Sequence, residues 1–330
     1  MERMQKQYRY TLNAVGGTMF FWSVLFYVLM TGAVVIGKFL PELLPTRTAE
    51  VIGSILYDVC YLGAFMLAGG FYYQISKRRK TCPIPFQIRL SWRNFALIFA
   101  GMTCAFSFAW INSVLVSALS LPQTPSILQE ATAYAEDYSF VLRFITIGLV
   151  PAFCEEFLFR GVILSNLRPY GNAAAILVSS LMFSMMHGNV AQFLYTLVAG
   201  IIMGTICVLT DSIWPSTLLH MINNSVSVLQ ESLSERFAPE SAYRLMLVVE
   251  CVIFAIGIVC IAYLAATYRS QRTKAEPSSE DYRLFGRLPK PGVGGVLTYT
   301  VPVRTRDFIG SLAFVFVLYS VVSGIVSLLL

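Results

Sequence analysis

The chain has 330 residues, of which 56% are hydrophobic, 14% aromatic and only 13% charged, and its mean hydropathy is +0.67. Soluble domains carry roughly 25% charged residues, and a protein of this size still needs a charged surface, so disorder, a disulfide scaffold and a soluble enzyme are excluded. The net charge of +6 sits in short basic runs between apolar segments, which argues against nucleic acid as the partner. The sequence reads as an all-α polytopic membrane protein, a transmembrane helical bundle.

The first ten residues are polar and basic. The apolar run after them is too long for a signal-peptide core and has no small-residue cleavage site, so it reads as a retained first helix. Crossing the hydrocarbon core takes about 20 apolar residues in a helix. Nine such runs are predicted, at 14–37, 51–75, 94–120, 138–166, 172–187, 190–210, 213–230, 243–267 and 308–330, so the bundle has 8–9 transmembrane helices. Pro151 is expected to kink the fourth. Residues 121–137, with Pro122, Pro125, Glu130, Glu136 and Asp137, read as an interfacial amphipathic connection.

The organisation expected is thus 1–137, N-terminal helices and the interfacial connection; 138–230, a core; 231–268, a further helix; 269–307, a polar cytoplasmic linker; and 308–330, a last helix. The linker is rich in Pro, Gly and basic residues (Pro277, Pro289, Pro291, Gly292, Gly294, Gly295), and it is a candidate docking element. Arg3, Lys6, Arg9, the run Lys77–Lys80, Arg89, Arg168 and the basic residues of 269–290 all fall on one side of this topology. Lys and Arg favour cytoplasmic loops, which predicts a cytoplasmic N-terminus; the expected location is a bacterial plasma membrane, as a multi-pass protein. No internal repeat is visible, which weakens a transporter built from inverted halves. The seven cysteines are scattered without CxxC or zinc spacing and read as small packing residues.

A charge inside a membrane helix costs at least about 2.5–3.5 kcal/mol at its centre and so marks function. The densest case is Cys154-Glu155-Glu156-Phe157-Leu158-Phe159-Arg160. Glu156 and Arg160 form an i,i+4 pair in the favourable acid-first order. Adjacent carboxylates diverge by about 100° on a helix, so Glu155 and Glu156 are expected to serve different partners, with Glu155 free to reach across the bundle. The chain has two histidines, His187 and His220. Phe183 precedes His187 by four residues and Asn224 follows His220 by four, so each pair shares a helix face.

Depth supports a single cluster. From the turn at 168–171, Glu155 lies 13 residues back and His187 lies 16 on, or about 20 and 24 Å of helix. His220 and Asn224 lie 7 and 11 residues into their own helix, about 10 and 17 Å from the same side.

Two chemistries fit such a cluster. In one, Glu155 is a general base that takes a proton from water with help from neutral His187, while His220 and Asn224 donate to the oxyanion formed at a peptide carbonyl. In the other, Glu155, His187 and His220 bind a divalent metal such as zinc, with Asn224 or water completing the shell. The residues alone do not choose between them. Asp58, Arg143, Glu250 and Asn112, also in or near spans, read as contacts between helices.

Together the three motifs, Glu155-Glu156-xxx-Arg160, Phe183-xxx-His187 and His220-xxx-Asn224, resemble the CPBP family of intramembrane proteases, the CAAX-prenyl endopeptidase and bacteriocin-processing or immunity group. That family carries EExxxR, FxxxH and HxxxN/D on successive transmembrane helices. The resemblance covers about residues 138–230. It implies that Glu155 activates water with His187, that His220 and Asn224 form the oxyanion hole, and that Glu156, Arg160 and Phe183 organise and pack the site.

Other intramembrane protease designs do not fit. HExxH is absent, Tyr57-Asp58 lacks a GxGD partner, and Ser323-Gly324 is followed by no histidine. The expectation is an endopeptidase acting on membrane-associated proteins or peptides at the lipid bilayer, with no nucleic-acid partner: a leader or pheromone peptide, a bacteriocin-related peptide or a membrane-protein segment ahead of a prenylated CAAX tail. The competing classes are a non-proteolytic membrane scaffold or bacteriocin-immunity protein, for which Glu155 is dispensable, and a proton-coupled transporter.

Overall fold

The computed structural model describes residues 2–76, 81–88, 90–121 and 140–274. The interfacial connection at 122–137, the basic residues at 77–80 and 89, most of the 269–307 linker and the last predicted span at 308–330 lie outside the described residues. Among the described residues every regular element is helical. The helices are α1 (Glu2–Leu43), α2 (Thr46–Ile75), α3 (Trp92–Ala118), α4 (140–170), α5 (Asn172–Met186), α6 (Val190–Thr210), α7 (Trp214–Arg236) and α8 (Pro239–Lys274). The helix α8 runs through the first residues assigned to the linker, because nothing between Arg269 and Lys274 breaks it.

Local chemistry explains the boundaries. Pro45 precedes α2, and the Ser91 hydroxyl caps α3 by accepting from Asn94 N at 3.1 Å. Gly171, at φ +131°, makes the turn between α4 and α5, a conformation that a side chain rarely adopts. Asn189 caps α6 at Ala191 N, 2.9 Å away. Several buried hydroxyls inside the apolar helices, such as Thr18 to Ala14 O at 2.8 Å, return to the carbonyl one turn back and so satisfy their own donors.

Among the described residues, five helices are long and apolar enough to cross a membrane: Lys6–Leu43, Thr46–Ile75, Trp92–Ala118, Val190–Thr210 and Pro239–Thr267. The other three expected spans that lie in the described residues, α4, α5 and α7, depart from that pattern. Helix α5 has 15 residues, about 22 Å of rise. Helix α7 carries His220, Asn223, Asn224 and Glu231 among its apolar residues. Helix α4 alternates, with π-helical turns at Phe144–Leu149 and Phe157–Leu164 on either side of an α-helical stretch, Val150–Glu156.

Helix α4 is the axis of the bundle. Leu158, Phe159, Val162, Ile163 and Leu164 are fully buried there, between α2 on one side and α5 and α7 on the other. The long α1–α2 hairpin seals one flank through the aromatic stack of Trp22, Phe26, Tyr61 and Phe65. Helices α3, α6 and α8 close the other flank. The extended segment 81–88 ties the ends of α4 and α7 together. Its Cys82 N donates to Asn166 Oδ1 at 2.8 Å, and its Pro85 and Phe86 carbonyls accept from Ile213 N and Trp214 Nε1 at 3.0 and 2.8 Å. The three atypical helices are therefore the enclosed ones, and they carry the polar cluster.

Candidate active site

The α-helical stretch Val150–Glu156 between the two π turns carries both acids. Glu156 and Arg160 are fully buried and pair at 2.5 Å, the local neutralisation the i,i+4 spacing predicts. A second Arg160 nitrogen donates to Gly200 O of α6 at 3.1 Å, and the guanidinium lies 4.5 Å from the Phe183 ring centroid. Phe183 is the hub of the apolar wall. Its ring meets His187, His220 and Phe159 edge-on, at centroid distances of 4.9, 5.7 and 5.5 Å.

The adjacent carboxylates do share a partner, contrary to the expectation from their divergence on the helix. His220 of α7 places Nδ1 3.3 Å from Glu156 Oε1 and Nε2 3.8 Å from Glu155 Oε2. The reason is the shape of imidazole: its two nitrogens point out of opposite sides of one ring, so a single residue meets two carboxylates that face different ways. The 3.8 Å contact is a charge contact and exceeds hydrogen-bond length.

Glu155 itself is 5% exposed. Its Oε1 accepts from Tyr61 Oη of α2 at 2.5 Å, while Oε2 accepts no hydrogen bond from another side chain or the backbone. Both of its close contacts thus come from other helices, as expected. His187 caps the C-terminus of α5, and its Nδ1 lies 2.8 Å from Phe183 O. A carbonyl oxygen only accepts, so Nδ1 carries the hydrogen and Nε2 presents a lone pair. Asn224 of α7 donates through Nδ2 to Ile147 O of the first π turn at 3.1 Å, and its Oδ1 faces Asn223 Nδ2 at 3.4 Å.

Six of the seven residues singled out in the sequence are linked by the contacts above; the seventh, Asn224, shares a helix with His220, but its own contacts go to Ile147 O and Asn223. Tyr61 is the addition that sequence reasoning missed. Among the residues assigned no chemistry, Asp58 accepts from Thr146 at 3.1 Å, Arg143 meets Glu235 at 2.6 Å and Asn112 donates to Ala191 O at 2.9 Å. These are contacts between elements. Among the described residues, no group of three or more His, Cys, Asp and Glu side chains is arranged to hold a metal ion.

Fold and cluster define a helical integral membrane protein with a buried carboxylate–imidazole centre. Residues 137–226 match the family model of the Type II CAAX prenyl endopeptidase Rce1-like proteins, and all three motifs fall inside that segment. That segment, 90 of the chain's 330 residues, is similar to the type II CAAX prenyl endopeptidases. No curated protein and no solved structure matches the chain.

Proposed function

We propose that this protein is an intramembrane endopeptidase that hydrolyses peptide bonds of membrane-associated proteins or peptides with a water activated at Glu155. The observation that carries the reading is the asymmetry of Glu155. One oxygen is held by Tyr61, and the other, free of hydrogen bonds from neighbouring side chains and backbone, faces His220 across 3.8 Å. A buried carboxylate with one open oxygen is the group that general-base chemistry requires.

In this reading Glu155 Oε2 takes a proton from water as the water oxygen bonds to the peptide carbonyl carbon. The His187 Nε2 lone pair accepts from the same water and orients it. His220, whose Nδ1 faces Glu156, donates through Nε2 to the oxyanion. The second amide hydrogen of Asn224 serves the same oxyanion. When the C–N bond breaks, Glu155 returns its proton to the leaving amine nitrogen. Glu156 and Arg160 hold His220 in place, and Phe183 holds His187 through its carbonyl.

A metal shell of Glu155, His187 and His220 is the alternative chemistry for the same three side chains, and the chelator arm of the test below separates the two. The clustering of Lys and Arg on one side of the topology supports a cytoplasmic N-terminus. Substrates are leader, pheromone or bacteriocin-related peptides and membrane-protein segments, ahead of prenylated tails.

The test compares peptide termini in membranes carrying wild type or Glu155→Ala, each with and without a chelator. Termini present only in wild type and insensitive to chelator are expected. Chelator-sensitive termini would replace the glutamate mechanism by a metal one. Identical termini with the host phenotype intact would favour the scaffold or immunity reading, and uptake driven by a proton gradient would favour transport.

A further inference from the structure

We propose that Tyr61 is the positioning residue for Glu155, so that the working site extends onto α2, outside the segment that matches the protease family; the inference rests on Glu155 being the base. Tyr61 lies 94 residues from Glu155 in sequence, yet its hydroxyl donates to Oε1 at 2.5 Å. The phenol is only 4% exposed. Its ring is fixed on three sides, stacked on Phe65 at 4.9 Å and on Tyr57 at 6.1 Å and edge-on to Phe26 at 5.5 Å. A phenol fixed by three aromatic rings has one direction in which to send its hydrogen.

That bond does two things. It selects one rotamer of a carboxylate whose own helix offers it no partner, because Arg160 is taken by Glu156. It also divides the two oxygens: Oε1 is occupied by a charge-assisted hydrogen bond, and Oε2 is left to face His220 Nε2. Without the phenol nothing holds the side chain in that rotamer, so the carboxylate swings away from the imidazole and the fraction of molecules with an oxygen aimed at the reacting water falls. The effect belongs to the chemical step and leaves substrate binding alone.

Tyr61→Phe keeps the ring and its stacking and removes only the donor. On a synthetic peptide spanning a cleavage site defined by Glu155-dependent termini, kcat is expected to drop about 10- to 100-fold with KM within about twofold, a fraction of the general-base contribution. Tyr57→Phe, the neighbouring ring, leaves both unchanged. Fluorotyrosine at 61, a stronger donor of nearly the same size, shifts kcat without unfolding the chain. A wild-type kcat in Tyr61→Phe, while Glu155→Gln is inactive, would overturn the inference and leave the protease reading standing. A second readout needs no activity. Tyr61→Phe lowers the melting temperature of the purified protein in wild type and not in a Glu155→Leu background. Equal shifts in both backgrounds would overturn the inference even if no peptide is ever cleaved.

Discussion

Asn224 supplies the hydrogen bond that Pro151 withholds. In a regular helix the carbonyl of Ile147 would accept from the backbone nitrogen four residues on, and that residue is Pro151, which has no N–H. The Asn224 carboxamide of α7 donates to this carbonyl at 3.1 Å. The contact pins α7 to the π turn Phe144–Leu149, eight residues ahead of Glu155. Asn224 therefore has a structural task besides the one proposed in catalysis, and its two amide hydrogens allow both.

Removing Asn224 should separate the two tasks when Pro151 is also replaced. Asn224→Ala removes this hydrogen bond between helices and is expected to cost about 0.5–1.5 kcal/mol of stability. In a Pro151→Ala background the helix has an N–H to offer that oxygen, so the cost should shrink to well below half. The loss of cleavage should persist in both backgrounds, at about 10²–10³-fold for one oxyanion donor. Melting curves and initial rates of the four proteins check this. Recovery of activity in the double variant would make Asn224 purely structural.

His187 offers a similar separation within one side chain. Nδ1 donates to Phe183 O at 2.8 Å, and the lone pair sits on Nε2. An asparagine at 187 can place its amide nitrogen where Nδ1 lies and has nothing to put in place of Nε2. His187→Asn is expected to melt within a few degrees of wild type and to lose about 10²–10⁴-fold in rate, the range for a missing acid–base group. His187→Ala should lose both. If His187→Asn cleaves normally, water orientation by Nε2 is wrong.

The fully buried Glu156–Arg160 pair makes an asymmetric prediction. Arg160→Met strands a carboxylate in an apolar core and is expected to destabilise by about 3–5 kcal/mol, the cost of breaking a buried pair. The double replacement Glu156→Gln with Arg160→Met removes both charges and keeps a hydrogen-bond acceptor for His220 Nδ1, so it should be the more stable of the two. Thermal melting in detergent ranks them. A double variant less stable than Arg160→Met would mean that the packing of the guanidinium on Phe183 and Gly200 O outweighs its charge.

Much of this architecture is legible in the sequence because the bilayer imposes one rule, apolar helices of a fixed length, and the long helices obey it. The cluster is legible because an apolar helix has little reason to carry Glu155, Glu156 and Arg160. What the sequence hides has physical causes. The second π turn of α4 leaves no trace in periodicity, since every face from Leu158 to Leu164 is buried. Tyr61 looks like one more aromatic in a chain with 17 tyrosines, and only the fold brings its hydroxyl to Glu155. The sharing of His220 by two divergent acids depends on the placement of α7, which helix geometry within α4 does not contain.

The close approach of α5 and α6 carries the last prediction. A Cβ added at Gly200 would sit 3.0 Å from Ser180 Cβ and 3.2 Å from Ser180 Cα, too tight for backbone to absorb without movement. The same glycine's carbonyl receives Arg160 at 3.1 Å, so separating the helices also loosens the arginine that neutralises Glu156. Gly200→Ala is expected to destabilise by about 1–3 kcal/mol, the usual cost of overpacking, and to lower the cleavage rate through Arg160. Ser180→Gly removes the opposing Cβ, and its fully buried hydroxyl makes no hydrogen bond whose loss would offset the relief. The pair Gly200→Ala with Ser180→Gly should therefore regain most of the melting temperature and the rate together. Recovery of stability without recovery of rate would mean that Gly200 positions Arg160 by more than helix spacing alone.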